Sequence, residues 1–241
     1  METTRTPDAR LLDVLHASAD WALVYWDDNS AVYVARAADR AEFLSRAYVY
    51  AVRPDRFEPD LLETPSGLAR AERDYDRKLK EAPDCVLALQ GKAQCLQERG
   101  DTAAAVPLLG KAVALRPENA GLAYNLGAVL LTMNDLDEAA TWFRRTLALH
   151  EYEAEAYMAL GMIGQHKGDT AQALECYAEV LTRAAENWKV YWNLSVLFEE
   201  SGDLDDALGA ARDVVRLQPK NRAALERLRA LAQKKQAGGT P

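Results

Sequence analysis

Residues 123–149 read AYNLGAVLLTMNDLDEAATWFRRTLAL, and this stretch decides the fold. Two apolar runs of helical period flank the polar break Asn134-Asp135, with Gly127 and Ala139 set among the bulky Leu126, Leu130 and Phe143. The arrangement returns every thirty-four residues. The small residue of the first run recurs as Ala93, Gly127, Gly161 and Ser195. The break recurs as Gly100-Asp101, Asn134-Asp135, Gly168-Asp169 and Gly202-Asp203. The small residue of the second run recurs as Ala105, Ala139, Ala173 and Ala207. Three markers, each returning four times in one register, predict a mainly α chain built from helix-turn-helix units.

Each marker has a physical reason. Gly or Asn just past a helix takes the left-handed conformation that ends it, and the Asp that follows is placed to cap the next helix. Glu138 and Gln172 stand three residues after Asp135 and Asp169, the spacing of a capping box. The small residues mark where two antiparallel helices cross, since a large side chain there would push them apart. Around each crossing the space is filled by Leu126, Leu130 and Phe143, by Tyr157, Leu160 and Tyr177, or by Tyr191, Leu194 and Phe198. Every pair leaves an apolar face that only its neighbours can cover, so the pairs stack.

This pattern resembles the tetratricopeptide repeat family: a bulky residue, two spacers, Leu-Gly, two spacers, a bulky residue, then Ala, an aromatic, and Pro near the end. The resemblance implies a TPR-type α-solenoid, a right-handed superhelix of antiparallel helix pairs, that works as an interaction scaffold. Four regular repeats are expected at 86–119, 120–153, 154–187 and 188–221. A degenerate first repeat with an insertion precedes them at 40–85, after an N-terminal helix and β-hairpin module at 1–39. Departures from the family pattern are Lys92 in place of Leu, Gly164 in place of a bulky residue, and a closing proline kept only at Pro117 and Pro219. Pro107 removes a helix hydrogen bond and is expected to kink the helix that carries it. Residues 222–236 read as a capping helix, with Leu225, Leu228 and Leu231 inward and Arg227, Arg229 and Lys234 outward; 237–241 read as a disordered tail.

The N-terminal part has a different character. Residues 8–15 form a short amphipathic pattern, with Leu11, Leu12 and Leu15 on one face. Residues 21–26, 27–30 and 31–35 then read as strand, polar turn and strand. Strict alternation puts Trp21, Leu23 and Tyr25 on one face and Ala22, Val24 and Trp26 on the other. Both faces are apolar, so the hairpin must pack on helices or join a larger sheet. Residues 40–52 carry a helical pattern, prolines break 53–65, and 67–81 form another helix with Ala71, Tyr75 and Leu79 four apart. The hairpin and the Tyr-rich helix after it, residues 21–54, also resemble the end of the soluble domain of bacterial glycosyltransferase-like membrane proteins with TPR tails. The chain has neither the spans nor the acidic catalytic loops of those proteins.

Composition narrows the function classes. With 241 residues, 49 % hydrophobic and 27 % charged, the chain is of ordinary soluble globular type. No apolar run reaches membrane-span length, and residues 1–10 lack the basic start and apolar core of a signal peptide. A cytoplasmic setting is favoured, with an extracytoplasmic, membrane-associated one as the other option. Cys85, Cys95 and Cys176 are too few and too far apart for a disulfide framework or a zinc site, and read as packing residues. The net charge of -8 is concentrated: residues 120–221 hold sixteen acidic side chains against eight basic ones. Such a surface repels nucleic acid and favours a neutral to basic, partly apolar protein or peptide partner.

By the resemblance, the first helix of each repeat lines a concave groove. Its residues are Gln90, Gln94, Gln97, Tyr124, Asn125, Ala128, Leu131, Met158, Met162, Gln165, Trp192, Asn193 and Val196. Asn125 and Asn193 match the family's groove asparagine, which can both donate to and accept from a peptide backbone. Tyr124, Met158, Met162 and Trp192 supply soft or aromatic surface that anchors a partner. The positions that hold Lys, Asn and Arg in relatives with a carboxylate clamp are Gln90, Tyr124, Met158 and Trp192, then Gln94, Ala128, Met162 and Val196, so cationic carboxylate capture is not expected. No catalytic residue, metal ligand set or cofactor site is expected either: His16, His150 and His166 are scattered, and no phosphate-cradling glycine loop or Ser/His/Asp set appears. A second reading docks the chain into a larger, membrane-linked assembly, or onto a second copy of itself, through Trp21, Tyr25, Trp26 and Tyr33 of the hairpin.

Overall fold

The computed structural model describes residues 21–26, 31–36, 62, 64–150 and 153–238. The helix expected at 8–15, the turn at 27–30, the helix at 40–52, most of the connection at 53–65 and the end of the tail lie outside the described residues. The chain divides into two compact units, Met1–Asp135 and Leu136–Pro241.

The first unit opens with strands β1 (Trp21–Trp26) and β2 (Ala31–Ala35), paired antiparallel. Leu23 pairs with Tyr33 but Tyr25 pairs with Val32, so Val24 is an extra residue on β1. This bulge corrects the strict alternation expected for the strand. Leu23 and Trp26 share one buried cluster with Leu62, Ala71, Tyr75, Cys85, Ala88 and Cys95, and Ala22 is buried as well. The hairpin therefore has a helical surface to lie on, as its two apolar faces require.

Helix α1 (Pro65–Glu81) starts two residues before its expected beginning, because Thr64 caps it and Pro65 stands in its first turn. The Thr64 Oγ1 accepts from Gly67 N at 3.1 Å. Helices α2 (Val86–Glu98), α3 (Thr102–Leu115) and α4 (Ala120–Thr132) follow, each packed on the one before. Lys92, the departure from Leu, turns back to α1: its Nζ donates to Glu72 at 2.8 Å and to Asp76 at 2.9 Å. Pro107 is exposed and α3 runs unbroken through it.

The second unit contains α5 (Leu136–Leu149), α6 (Ala154–His166), α7 (Thr170–Arg183), α8 (Trp188–Glu200), α9 (Leu204–Leu217) and α10 (Arg222–Gly238). Consecutive helices pack throughout, and α6 also touches α8. The last helix continues to Gly238, two residues past its expected end. Leu231 of α10 is buried with Ala207, Leu208 and Ala211 of α9.

The four breaks adopt one geometry. Gly100, Asn134, Gly168 and Gly202 have φ of +82°, +61°, +73° and +85°. The next residue in each case donates its N–H five residues back: Asp101 to Leu96, Asp135 to Leu130, Asp169 to Gly164 and Asp203 to Phe198, at 2.8 to 2.9 Å. This closes each helix with a Schellman turn. The side-chain caps differ from expectation. Asp169 accepts from Gln172 N at 3.0 Å, but Asp101 and Asp203 make no side-chain cap. Caps appear instead at the other end of the period, where Asn119, Asn187 and Asn221 accept from the first turns of α4, α8 and α10.

Candidate partner-binding site

An apolar recess lies in the second unit, on α6, α8 and the start of α10. Met158 and Met162 stand one turn apart on α6, and Trp188 and Trp192 one turn apart on α8. With Lys189, Asn193, Asn221 and Ala223 they line about 420 Å³. Periodicity makes this face: each pair is at an i, i+4 spacing, so both members project to the same side of their helix. Met162 is 41 % exposed, which leaves a thioether open to solvent. Asn221 spends its Oδ1 on the Ala224 N–H at 3.2 Å and so fixes the edge where α10 begins.

The recess is braced from α10. The Arg227 guanidinium lies 5.6 Å from the centroid of the Trp192 ring and donates to Ser195 Oγ at 2.6 Å and to Glu199 Oε2 at 3.1 Å. Lys234 Nζ holds the other Glu199 oxygen at 2.8 Å. The hydrogen bond from Lys234, with the Arg227 charge beside it, outweighs partial burial and holds the Glu199 carboxyl below its ordinary range. The sequence pattern turns Arg227 outward; the structure corrects this, laying it against α8 with its side chain only 19 % exposed.

The expected groove residues fall into two places, one per unit. Met158, Met162, Trp192 and Asn193 line the recess above. Gln90, Gln94, Gln97, Asn125 and Ala128 line a smaller one of about 160 Å³ in the first unit, floored by Leu109. Tyr124, Leu131, Gln165 and Val196 are half-buried and line neither. Gln165 donates its amide to Glu200. Sequence reasoning missed Trp188, Lys189, Asn221 and Ala223. One signal was present: Lys189 and Ala223 stand thirty-four residues apart, in register with Glu155, on the same helical face as Met158 and Met162.

The hairpin residues fare differently. Trp26 is fully buried, edge-on to Tyr75 with ring centroids 6.2 Å apart and 5.4 Å from the Lys78 Nζ. It is a core residue, which corrects its assignment to a docking surface. Tyr33 packs half-buried on the same cluster. The side chains of Trp21 and Tyr25 lie outside the description. The three cysteines are buried, and burial pushes the Cys95 thiol up to about 12, so they act as packing residues. Among the described residues no group of three or more His, Cys, Asp and Glu is placed to hold a metal ion. No described helix is long and apolar enough to cross a membrane.

Helix pairs closed by one repeated turn and stacked through small crossing residues define an α-solenoid of helix-turn-helix repeats. The chain belongs to the tetratricopeptide repeat family: two models of that family match residues 96–163 and 159–222, together more than half of it. It is 25 % identical over 144 residues to BBSome complex member BBS4 of Bos taurus, covering 60 % of this chain and 28 % of that protein. The chain thus spans about a quarter of the length of this relative. Its fold is similar to the crystal structure of YrrB, described as a TPR protein with an unusual peptide-binding site, at 25 % identity and a TM-score of 0.57, covering 69 % of this chain and 86 % of that one. It is also similar in fold to MamA, at 24 % identity and a TM-score of 0.60, covering 68 % and 96 %.

Proposed function

We propose that the chain is a non-enzymatic protein interaction scaffold that seats an apolar side chain of a partner segment between Met158, Met162, Trp188 and Trp192. The observation that carries this is an open, apolar recess walled by two tryptophans and two methionines, where a soluble protein would otherwise keep such side chains covered. Thioethers adapt to the shape of what enters, and indoles supply large contact area at little entropic cost. Asn193 is among the lining residues, and its amide carries both the donor and the acceptor that a partner's backbone needs. Lys189 is the one charged residue in the lining, so the anchor itself is neutral. Basic residues flanking the anchor would meet the excess of carboxylates across residues 120–221. The peptide-binding site for which YrrB is described supports the same use of the fold.

The test is a selection of random twelve-residue peptides on the full chain. Enriched peptides should share one bulky apolar residue with Lys or Arg nearby, and Trp192→Ala should weaken them about thirtyfold, the loss typical of a hot-spot aromatic. Far-ultraviolet circular dichroism should stay unchanged. Failure to enrich any peptide, or enrichment indifferent to Trp192→Ala, removes the recess from the function.

A second reading, membership in a larger assembly, draws on the description of BBS4 as a complex member. With Trp26 buried, docking through the hairpin would rest on Trp21, Tyr25 and the exposed part of Tyr33. Tyr33→Asp should then shift the mass of the native assembly in solution; an unshifted mass counts against the hairpin.

A further inference from the structure

The face that bears the recess continues onto α10. Arg227 follows Asn193 by thirty-four residues, so the last helix brings a guanidinium to the repeat position where α8 carries its lining asparagine. That guanidinium covers the Trp192 ring at 5.6 Å and is pinned by two acceptors, Ser195 Oγ and Glu199 Oε2. The pinning extends both ways. Ser195 Oγ donates in turn to the Trp192 carbonyl at 2.8 Å, and Glu199 is fixed from its other side by Lys234. Ser195 is also the only member of its series, Ala93, Gly127, Gly161 and Ser195, with a hydroxyl, and it stands where the guanidinium needs an acceptor. A planar cation held by a fork of hydrogen bonds is a rigid plate against an aromatic face.

We infer that Arg227 is a positioning residue for partner binding: it fixes the Trp192 ring so that the wall of the recess is formed before a partner arrives. The inference rests on the reading that this recess seats an apolar side chain. A preformed wall gives up less freedom on binding, so Arg227 strengthens affinity without touching the partner.

The experiment uses the full chain and the variants Arg227→Ala, Arg227→Lys and Ser195→Ala. Ser195→Ala is safe for the fold, since alanine holds the same position as Ala93 in an earlier repeat. The first readout needs no partner: acrylamide quenching of Trp192, taken as the difference between each chain and the same chain carrying Trp192→Phe. Arg227→Ala should roughly double that quenching, Arg227→Lys should restore part of the protection, and Ser195→Ala should raise quenching by a smaller amount. The second readout is the affinity of a twelve-residue peptide selected on the unmodified chain, which Arg227→Ala should weaken about tenfold and Arg227→Lys less. Trp192 quenching unchanged in both Arg227→Ala and Ser195→Ala overturns the inference, whether or not a peptide has been found. Raised quenching with unchanged peptide affinity overturns it too, because Arg227 then only fastens α10. If no peptide is selected, the proposed function falls, and quenching alone still decides whether Arg227 fixes the ring.

Discussion

Gly161 of α6 lies against the ring of Tyr177 on α7 so closely that a Cβ at Gly161 would stand 2.5 Å from Tyr177 Cε1. The ring is fully buried and has no room to retreat. Two effects therefore compete in Gly161→Ala. Alanine is better than glycine inside a helix by about 1 kcal/mol, but overpacking a buried crossing costs about 1 to 3 kcal/mol. The clash should win and lower the urea midpoint. Gly209→Ala on α9 meets nothing within 4 Å and should raise the midpoint by the propensity term alone. Equal shifts in the two variants would show that the crossing is looser than this.

The capping aspartates should separate in the same measurement. Asp169→Ala removes a side-chain acceptor from Gln172 N and should cost about 1 kcal/mol. Asp203→Ala removes no cap bond and should cost a few tenths at most. If both cost the same, the stabilising feature is the turn they share and not the carboxylate.

Acid should loosen two ion clusters. Lys92, through its hydrogen bond and then its charge, holds the Glu72 carboxyl below its ordinary value of 4.5, with Arg99 adding to the effect against partial burial. Lys234 and Arg227 do the same for Glu199. A carboxyl whose pKa is lower folded than unfolded stabilises the fold above the unfolded value, and that stabilisation is lost as pH falls through the folded one. The chain should thus lose stability as pH drops below about 4.5. The double variant Glu72→Gln, Glu199→Gln should lose less over the same window, read as urea midpoints at pH 7 and pH 3.5. A parallel decline in both chains would place the acid sensitivity elsewhere.

The repeat was legible in the sequence because its determinants are local. A residue that accepts positive φ and a small residue at a crossing each act within a few ångströms, and the period of thirty-four repeats them. The hairpin register was not legible, since alternation counts residues and carries no sign that Val24 is an extra one; only the pairing of Leu23 with Tyr33 and of Tyr25 with Val32 reveals it. Nor was the fate of Lys92, whose partners Glu72 and Asp76 stand twenty and sixteen residues before it. Half of the recess was visible as Met158, Met162, Trp192 and Asn193. The other half was hidden because Trp188 and Lys189 open α8 ahead of the positions read as groove-lining, and Asn221 and Ala223 belong to the start of α10, which reads as a cap. Carrying the period one step further, from Asn193 to Arg227, places that arginine on the same face.

The matching backbone turns at Gly168 and Gly202 make residues 169–202 a cassette. Both glycines share a left-handed torsion, both are followed by aspartate, and both turns donate to a carbonyl five residues back. Excising the cassette would splice Gly168 to Asp203 with the joint's backbone conformation preserved. The chain thus carries natural splice points, and a lineage could gain or lose whole windings by duplication or deletion at them without inventing a new connection.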